Sequence, residues 1–409
     1  MKNIDIVIVG GGMVGLTTAL AIRQQTSLSV AVIDSQELHS IKEQPHLRVS
    51  AINNASKQLF TNLCVWDDIC AVRSQAYSNM HVWDKDGYGH LDFDQSDIPT
   101  GSGADNLGSI IENDIIRNAL WHKAEQDSGI RFIPENITSM AVGGSEVFLS
   151  FAEQPPIMAK LVIGADGANS WVRKQLDMAM TFRDYDHHAV VATVECAQGH
   201  QNTAWQVFLP SGPLAFLPLY QQNTCSIVWS LPPEQAERIK ALSTDDFNKE
   251  ILAASDGKLG NIRLQSERVS FPLTMRLVRD FVKDRVVLIG DAAHTIHPLA
   301  GQGVNLGLVD AAALAQTLAD ICVQGKALND AQALGHFSRW RKSDASEMIV
   351  AMESIKQGFS LQQTLPKFIR GLGMSLLNNV ASLKKLLLKQ AMGSRSDLPK
   401  LCKVQDPLA

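Results

Sequence analysis

The first 34 residues constrain the fold most strongly, because they carry the successive patterns of a nucleotide-binding βαβ unit. Residues 4–9 (IDIVIV) form a short, mostly β-branched run typical of a buried parallel strand. A glycine-rich turn at residues 10–15 follows, then a helical stretch at 16–25 and a second strand at 29–33. Asp34 ends that strand, 19 residues after the last glycine of the GxGxxG motif. This order and spacing predict a dinucleotide site.

Each glycine of this motif, and the acid that follows it, has a physical task. We expect Gly10 to permit the tight turn, Gly12 to let a pyrophosphate approach the backbone, and Gly15 to let helix and strand pack closely. Asp34 can accept hydrogen bonds from the hydroxyls of an adenosine ribose. The alternative is a glycine-rich turn of a βαβ unit that holds no ligand.

Two later segments repeat the strand-to-turn pattern. Residues 160–173 contain a strand that ends in GADG, with Asp166 at a tight turn and Ser170 at the start of a helix. Asp166 alone is also compatible with an Asx turn or a helix cap. Residues 284–307 contain a strand, the Gly290-Asp291 turn, a Gly/Pro-rich loop and a helix that starts near Asn305. An acid at a strand end followed by a helix N-terminus is suited to hold a polar cofactor.

A chain of 409 residues predicts two domains. The three turns follow in the order of one discontinuous α/β nucleotide domain, formed by residues 1–75, 98–180 and 270–340. We assign residues 76–97, which contain a hairpin signal around Asp86-Gly87, and 181–269 to an antiparallel β-rich domain. Its apolar strands indicate either a binding wall or only a sheet core. Residues 341–409 form a helical C-terminal region.

Composition limits the other functions. The net charge of −5 argues against a nucleic-acid partner. Six scattered cysteines without a CxxC pair suit reduced thiols in the cytoplasm, the N-terminus does not resemble a signal peptide, and we find no run of about 20 apolar residues. From residue 361 onward, eight Lys/Arg face two Asp. This basic, leucine-rich tail suits a membrane surface or a partner protein, or else it caps the core with a solvated basic face.

Three longer motifs carry a family resemblance over most of the chain: RVSAI at 48–52, GADGANS at 164–170, and the segment from Gly290 to Gly307. They resemble the group A flavoprotein aromatic hydroxylases of the para-hydroxybenzoate hydroxylase fold. Within that group they are most similar to the ubiquinone-biosynthesis hydroxylases (the UbiH, UbiF, UbiI/VisC and COQ6 group). The segments VWDKD at 82–86 and QAMG at 390–393 resemble the UbiI/VisC branch.

The resemblance implies an FAD-binding Rossmann-like domain of the glutathione-reductase type, interrupted by the β-rich substrate domain. It implies FAD as cofactor, NADH or NADPH as electron donor and O2 as co-substrate. Asp34 stands where many relatives carry Glu, and the shorter acid still suits ribose. The residues expected around the cofactor are Gly10, Gly12, Met13, Val14, Gly15, Asp34, Arg48, Asp166, Gly290, Asp291, Pro298, Gly301, Gly303, Val304 and Asn305.

The implied reaction is hydroxylation of a polyprenylated phenol in ubiquinone formation through a C4a-hydroperoxyflavin. This chemistry needs no triad or metal, because the protein mainly positions the ring, excludes water and assists loss of the phenol proton. His187, His188 and Tyr220 are candidates for that assistance or are structural residues. His294 and His297 lack a third ligand of suitable spacing, so we predict no metal site.

The resemblance and the basic tail also bear on partners and location. The expected partners are a ubiquinone-biosynthesis protein complex, the inner membrane surface and a second copy of the chain in a homo-oligomer. A flavin halogenase shares the fold, but Trp66, Trp83 and Trp121 lie in no WxWxIP segment. A flavin reductase or oxidase of a lipid-like substrate, and a non-catalytic protein that binds a prenyl chain or a partner, remain as alternatives.

Overall fold

The computed structural model describes residues 2–98, 104–296, 303–360, 364–393 and 397–404. The strands are β1 (Lys2–Val9), β2 (Val30–Ile33), β3 (Val49–Ile52), β4 (Gln75–Tyr77), β5 (Asn79–Asp84), β6 (His90–Phe93), β7 (Gly108–Glu112), β8 (Ile130–Ile133), β9 (Ile137–Val142), β10 (Val147–Phe151), β11 (Ile157–Gly164), β12 (Met180–Cys196), β13 (Thr203–Leu209), β14 (Gly212–Pro218), β15 (Thr224–Leu231), β16 (Ile262–Leu264), β17 (Val269–Val278), β18 (Val282–Lys283), β19 (Val286–Leu288) and β20 (His294–Thr295). The helices are α1 (Met13–Gln25), α2 (Asn54–Asn62), α3 (Trp66–Val72), α4 (Asn113–Glu125), α5 (Trp171–Gln175), α6 (Pro233–Ala241), α7 (Thr244–Ala254), α8 (Gly303–Val323), α9 (Ala331–Ser360), α10 (Thr364–Asn379) and α11 (Ala381–Ala391).

The first sheet has a parallel centre in the order β19-β11-β1-β2-β8. The carboxyl halves of β1, β2, β11 and β19 are apolar and largely buried on both faces, as expected when helices cover a parallel sheet. The carboxyl ends of parallel strands meet at one edge. The turns that follow β1, β2, β11 and β19 therefore converge there, although they are far apart in the chain.

The second sheet is mostly antiparallel, in the order β20-β17-β12-β15-β14-β13-β5-β6. One face packs against α6 and α7 through Val194, Phe216 and Trp229. The opposite face carries Leu217 and Val228, which pack against residues of the first domain. The strand-rich segment is therefore both a sheet core and an apolar wall, because its two faces have different neighbours.

The predicted mixed α/β architecture is confirmed, and so is the hairpin of residues 80–93, since β5 pairs antiparallel with β6 and joins the second sheet through β13. The proposed boundary at residue 270 falls inside β17, which pairs with β12 from Val269 to Val278. Residues 270–278, assigned above to the first domain, thus belong to the second sheet, as does β20. Residues 108–112 form β7, and α4 begins directly after it at Asn113.

Helix α8 crosses the interior of the first domain. By length and composition it could cross a bilayer, with a mean hydropathy of 1.6, so the expectation that the chain has no such run was wrong. Of its apolar window, 61% is buried inside the protein, including Leu308, Leu314 and Leu318. This burial identifies α8 as a core helix.

The C-terminal helices pack on the second sheet. Phe359 of α9 stacks on Phe208 of β13 with ring centroids 3.8 Å apart, and Met374 of α10 is buried beside Val82. Leu388 of α11 and the following Met392 are buried in the cluster between the two domains. A helical cap over the core, one of the two alternatives for the tail, is thus present.

Candidate functional site

The first glycine turn is shaped by close backbone packing. Gly10 has φ = +110° and donates its N–H to the carbonyl of Ile33 at 2.8 Å. A Cβ on Gly10 would lie 2.4 Å from the Ala165 carbonyl oxygen, and one on Gly15 would lie 1.9 Å from the Gly10 carbonyl oxygen. Neither position has room for a side chain. A Cβ on Gly12, by contrast, would meet nothing within 4 Å.

Asp34 completes this turn. Its Oδ2 accepts the Gly11 N–H at 2.6 Å, and its Oδ1 accepts the Gln36 N–H at 2.8 Å. The Asp34 carboxylate therefore holds the loop itself, in addition to its predicted role toward a ribose. Arg117 Nη2 lies 3.7 Å from Asp34 Oδ2 and partly balances its charge.

Arg117 is a residue that the sequence analysis missed. It is buried in α4, donates from Nε to the Gly11 carbonyl at 2.9 Å, and donates from Nη2 to the Gln36 carbonyl at 2.8 Å. Its guanidinium thereby joins the glycine turn to the segment after β2. The available signal was a lone arginine on the apolar face of an amphipathic helix, between Ile116 and Leu120.

A cavity of about 750 Å³ opens at the carboxyl edge of the first sheet. Predicted site residues from four separate segments line it. They are Gly10, Gly12, Met13, Asp34, Arg48 and Asp166. The Arg48 side chain is exposed and lies over the Phe271 ring of β17 at 5.3 Å, so it stands where the two sheets meet.

The Asp166 carboxylate caps a helix, as its alternative interpretation predicted, but only one of its two oxygens is used. Its Oδ2 accepts the Val172 N–H at 3.0 Å, at the start of α5. Its Oδ1 is buried and has no hydrogen-bond partner within the described part of the chain. A buried oxygen left in this way is costly unless a ligand or water satisfies it.

The Gly290-Asp291 turn lies on the same edge. Gly290 has φ = +57° and packs against Val14, which also lies under Gly307 of α8. The Asp291 side chain is exposed, yet crowding by the surrounding protein raises the pKa of its carboxyl above the ordinary value. A carboxylate that is accessible and at the same time poorly solvated is suited to meet a ligand.

A buried ionic network supports this turn from below. Asp310 Oδ2 accepts the Gly290 N–H at 3.0 Å and lies 2.6 Å from His294 Nε2. Asp310 Oδ1 accepts from Arg341 Nε at 2.7 Å, and Arg341 also pairs with Asp344. Burial alone would raise the pKa of Asp310, but His294 and Arg341 outweigh that effect and lower it. His294 is thus part of the buried network that supports the Gly290-Asp291 turn.

Helix α8 begins at Gly303, where a Cβ would meet nothing within 4 Å. The Asn305 side chain accepts the Asn53 N–H at 3.1 Å and donates to the Ala51 carbonyl at 2.7 Å. Val304 packs partly buried against the core. Three further residues from the sequence analysis, Pro298, Gly301 and His297, lie outside the described residues.

The three candidates in the second domain make structural contacts. His187 Nδ1 lies 2.9 Å from the Tyr185 carbonyl, and its Nε2 lies 3.2 Å from the Ser211 carbonyl. His188 Nδ1 lies 3.3 Å from Ser270 Oγ. Tyr220 donates its hydroxyl to the Glu43 carbonyl at 3.0 Å, and its ring lies under Arg73. Their proposed help in phenol deprotonation stays a prediction.

Comparison with known proteins identifies the family. Residues 3–348 match the FAD-binding domain family. The chain belongs to this family. It is also 34% identical over 392 residues to the 3-demethoxyubiquinol 3-hydroxylase of Escherichia coli, covering 95% of this chain and 98% of the relative. It is 30% identical to the mitochondrial ubiquinone biosynthesis monooxygenase COQ6 of Dictyostelium discoideum, covering 95% of this chain and 91% of that relative.

Solved structures agree on the fold. The p-nitrophenol 4-monooxygenase PnpA of Pseudomonas putida superposes with a TM-score of 0.78 at 17% identity, covering 99% of this chain and all of the other. The chain is therefore an FAD-dependent monooxygenase of the ubiquinone-biosynthesis hydroxylase family. Its assignment to the UbiI/VisC branch stays a prediction.

The observed residues fit FAD. The open space at Gly12 admits a pyrophosphate, and the adjoining cavity has Asp34 at the position suited to a ribose. The unpaired Asp166 oxygen and the exposed Asp291 carboxylate add acceptors for hydroxyl groups at the same edge. Within the described ranges, no group of three or more His, Cys, Asp or Glu is placed to hold a metal ion.

Proposed function

We propose that this protein hydroxylates the aromatic ring of a polyprenylated phenol during ubiquinone formation, with O2 as co-substrate and NADH or NADPH as electron donor. One contact carries the proposal. Asn305, at the start of α8, binds the backbone of Ala51, which packs in the same apolar cluster as Leu217 and Val228 of the second sheet. The predicted flavin-binding helix and an apolar wall therefore meet at one point, as ring hydroxylation requires.

The wall combines apolar and hydroxyl groups. Thr193 and Ser226 are directly opposite on β12 and β15, and Ser230 follows on the same face beyond Val228. All three hydroxyls are buried and have no hydrogen-bond partner within the described residues. Unpaired hydroxyls beside an apolar cluster suit a ligand with a phenolic oxygen and a hydrocarbon tail. They support the proposed substrate class.

FAD, when bound, supplies the redox chemistry that activates oxygen. The chain's own contribution is positioning and exclusion of water. Asp34 and Arg117 hold the nucleotide loop, the exposed Asp291 carboxylate is available as an acceptor for the cofactor, and the apolar face of the second sheet keeps water from the ring.

The proposal is tested with the purified protein, a prenylated phenol and oxygen-18-labelled O2. We expect the product to carry one labelled oxygen, whereas labelled water should leave it unlabelled. A reductase or an oxidase would convert the substrate without adding labelled oxygen to it, and that outcome would reject the proposal. In a deletion strain, the accumulated quinone precursor should lack one ring hydroxyl, and mass spectrometry of that precursor identifies the missing hydroxyl.

Replacing Asp291 with alanine should weaken FAD binding by about tenfold to a hundredfold, because a charged hydrogen-bond acceptor is typically worth about 1.5–3 kcal/mol. Absorbance of the bound flavin after gel filtration measures the loss. Asp291→Asn is the matched control, since it keeps an acceptor oxygen and should retain more flavin. Full flavin occupancy in Asp291→Ala would contradict the assignment.

We further propose a cytoplasmic location with peripheral attachment to the inner membrane, and association with other enzymes of the pathway. All six cysteines are free thiols, which suits a reducing compartment. Sedimentation analysis of the purified chain tests the predicted homo-oligomer.

A further inference from the structure

The outer face of helix α11 carries apolar side chains in an unusual position. Leu383, Leu386 and Leu387 are 37%, 65% and 40% exposed, and together they form one face of the helix. The opposite face buries Leu388 in the cluster between the domains. A helix at the surface of a globular protein normally turns its polar side outward, so this arrangement indicates a surface that something else covers.

Charge decides what kind of surface α11 would meet. Lys385 and Lys389 are exposed, whereas Lys384 is paired with Asp97 at 2.6 Å. Lys389 lies one turn from Leu386 at the edge of the leucine face, and Lys385 lies one turn from Lys389. Residues 364–393 contain five Lys/Arg and no Asp or Glu. Exposed leucines flanked by lysines, without acidic residues, are the pattern of a helix that lies in the headgroup region of an anionic bilayer.

The inner face of α11 closes the interior. Leu388 and Met392 pack in the cluster that contains Leu217 and borders Val228 of the apolar wall. Gly393 follows at φ = +69°, and a Cβ there would lie 2.6 Å from Asn53 Nδ2. The Asn53 backbone in turn binds Asn305 at the start of α8. Helix α11 therefore lies between the outer leucine face on one side and the apolar wall and the start of α8 on the other.

We propose that α11 is an interfacial helix that docks on an anionic membrane surface and is the point at which a membrane-dissolved substrate reaches the interior. The second part rests on the proposed function, whereas docking does not. The leucines enter the acyl boundary and the two lysines pair with anionic headgroups. Displacement of Leu388 and Met392 then opens the apolar cluster to the substrate's hydrocarbon tail.

The docking test uses the full-length, FAD-loaded protein and cosedimentation with vesicles. We expect binding to vesicles of equal parts phosphatidylglycerol and phosphatidylcholine, and little binding to phosphatidylcholine alone. Changing Leu383, Leu386 and Leu387 to serine should weaken binding at least tenfold. Lys385→Gln with Lys389→Gln should weaken it by about 25-fold, since each lysine near an anionic surface contributes about a fivefold factor.

Matched controls are available at exposed positions elsewhere. Val350→Ser removes an exposed apolar side chain from α9, and Lys174→Gln with Lys240→Gln removes two exposed lysines. Both should bind vesicles like the unchanged protein. Flavin content and thermal unfolding should be unchanged in all variants. Equal binding by the α11 variants, or no vesicle binding at all, would overturn the proposal. A dimer that dissociates in the leucine variant would overturn it too, because a second copy would then cover the face.

The access role has a separate readout. The leucine variant should turn over a prenylated phenol embedded in vesicles at least tenfold more slowly, while its rate with a short-chain, water-soluble phenol stays unchanged. Equal loss with both substrates would reject the access role. If neither substrate is hydroxylated by the unchanged protein, the proposed function fails, and the docking result stands independently.

Discussion

Replacing Gly15 with alanine is expected to disrupt the nucleotide loop and to lower the free energy of unfolding by about 3 kcal/mol or more. The new Cβ would lie 1.9 Å from the Gly10 carbonyl oxygen, which belongs to the backbone and cannot turn aside. The loop must therefore move away from α1, and FAD binding is lost with it. Urea unfolding followed by circular dichroism measures the stability, and flavin absorbance measures the binding.

Gly12→Ala is the matched control for this prediction. A Cβ at Gly12 meets no protein atom within 4 Å, and the residue has an ordinary φ of −77°. This variant should unfold at the same urea concentration as the unchanged protein, but it should bind FAD weakly because its methyl group points into the space left for the cofactor. Equal stability of the two variants would show that backbone crowding does not explain Gly15.

Replacing Asp310 with alanine should lower the free energy of unfolding by about 3–5 kcal/mol, because it leaves Arg341 buried with one fewer carboxylate partner. It should also release flavin, since the Gly290 N–H loses its acceptor and the Asp291 turn loses its support. Chemical unfolding and flavin content measure the two effects.

Two variants separate charge from packing. Asp310→Leu combined with Arg341→Met and Asp344→Leu removes all three charges of the network and should recover much of the stability, but not the flavin content, because the Gly290 N–H stays unpaired. Arg238→Met breaks a surface ion pair with Glu250 whose 2.6 Å distance is close to the 2.7 Å of the buried Arg341–Asp310 pair. This variant should lower the free energy of unfolding by less than about 1 kcal/mol. If the Asp310 and Arg238 variants lost equal stability, the buried network would have no special role.

Elements that depend on residues close in the sequence were predicted correctly, whereas elements that depend on distant partners were not. The turn after β1, the strand that ends at Asp34 and the hairpin of β5 and β6 depend on neighbours within a few tens of residues, and the structure has them where they were predicted. The first half of β12 was not predicted, because its polar residues form a strand only by pairing with β17, about 90 residues away.

The predicted site shows the same division. The sequence motif indicated Asp291 but not the Asp310 carboxylate beneath its turn, since Asp310 resembles an ordinary helix residue until Arg341 of α9 is packed against it. Arg117 was missed for a similar reason: its partners are carbonyl groups of two other segments, and carbonyl groups carry no sequence signal.

The sequence alone determined the cofactor class and the family, because glycine positions and strand-end acids are local requirements of a nucleotide turn and are visible as spacing. Tertiary structure decided what those residues touch. The parallel sheet brings the turns after β1, β2, β11 and β19 to one edge, and the apolar face of the second sheet packs against Ala51 of the first domain. Only packing determined that α11 is apolar on both faces, with Leu388 inside and Leu386 outside, because burial depends on neighbours that the linear sequence does not specify.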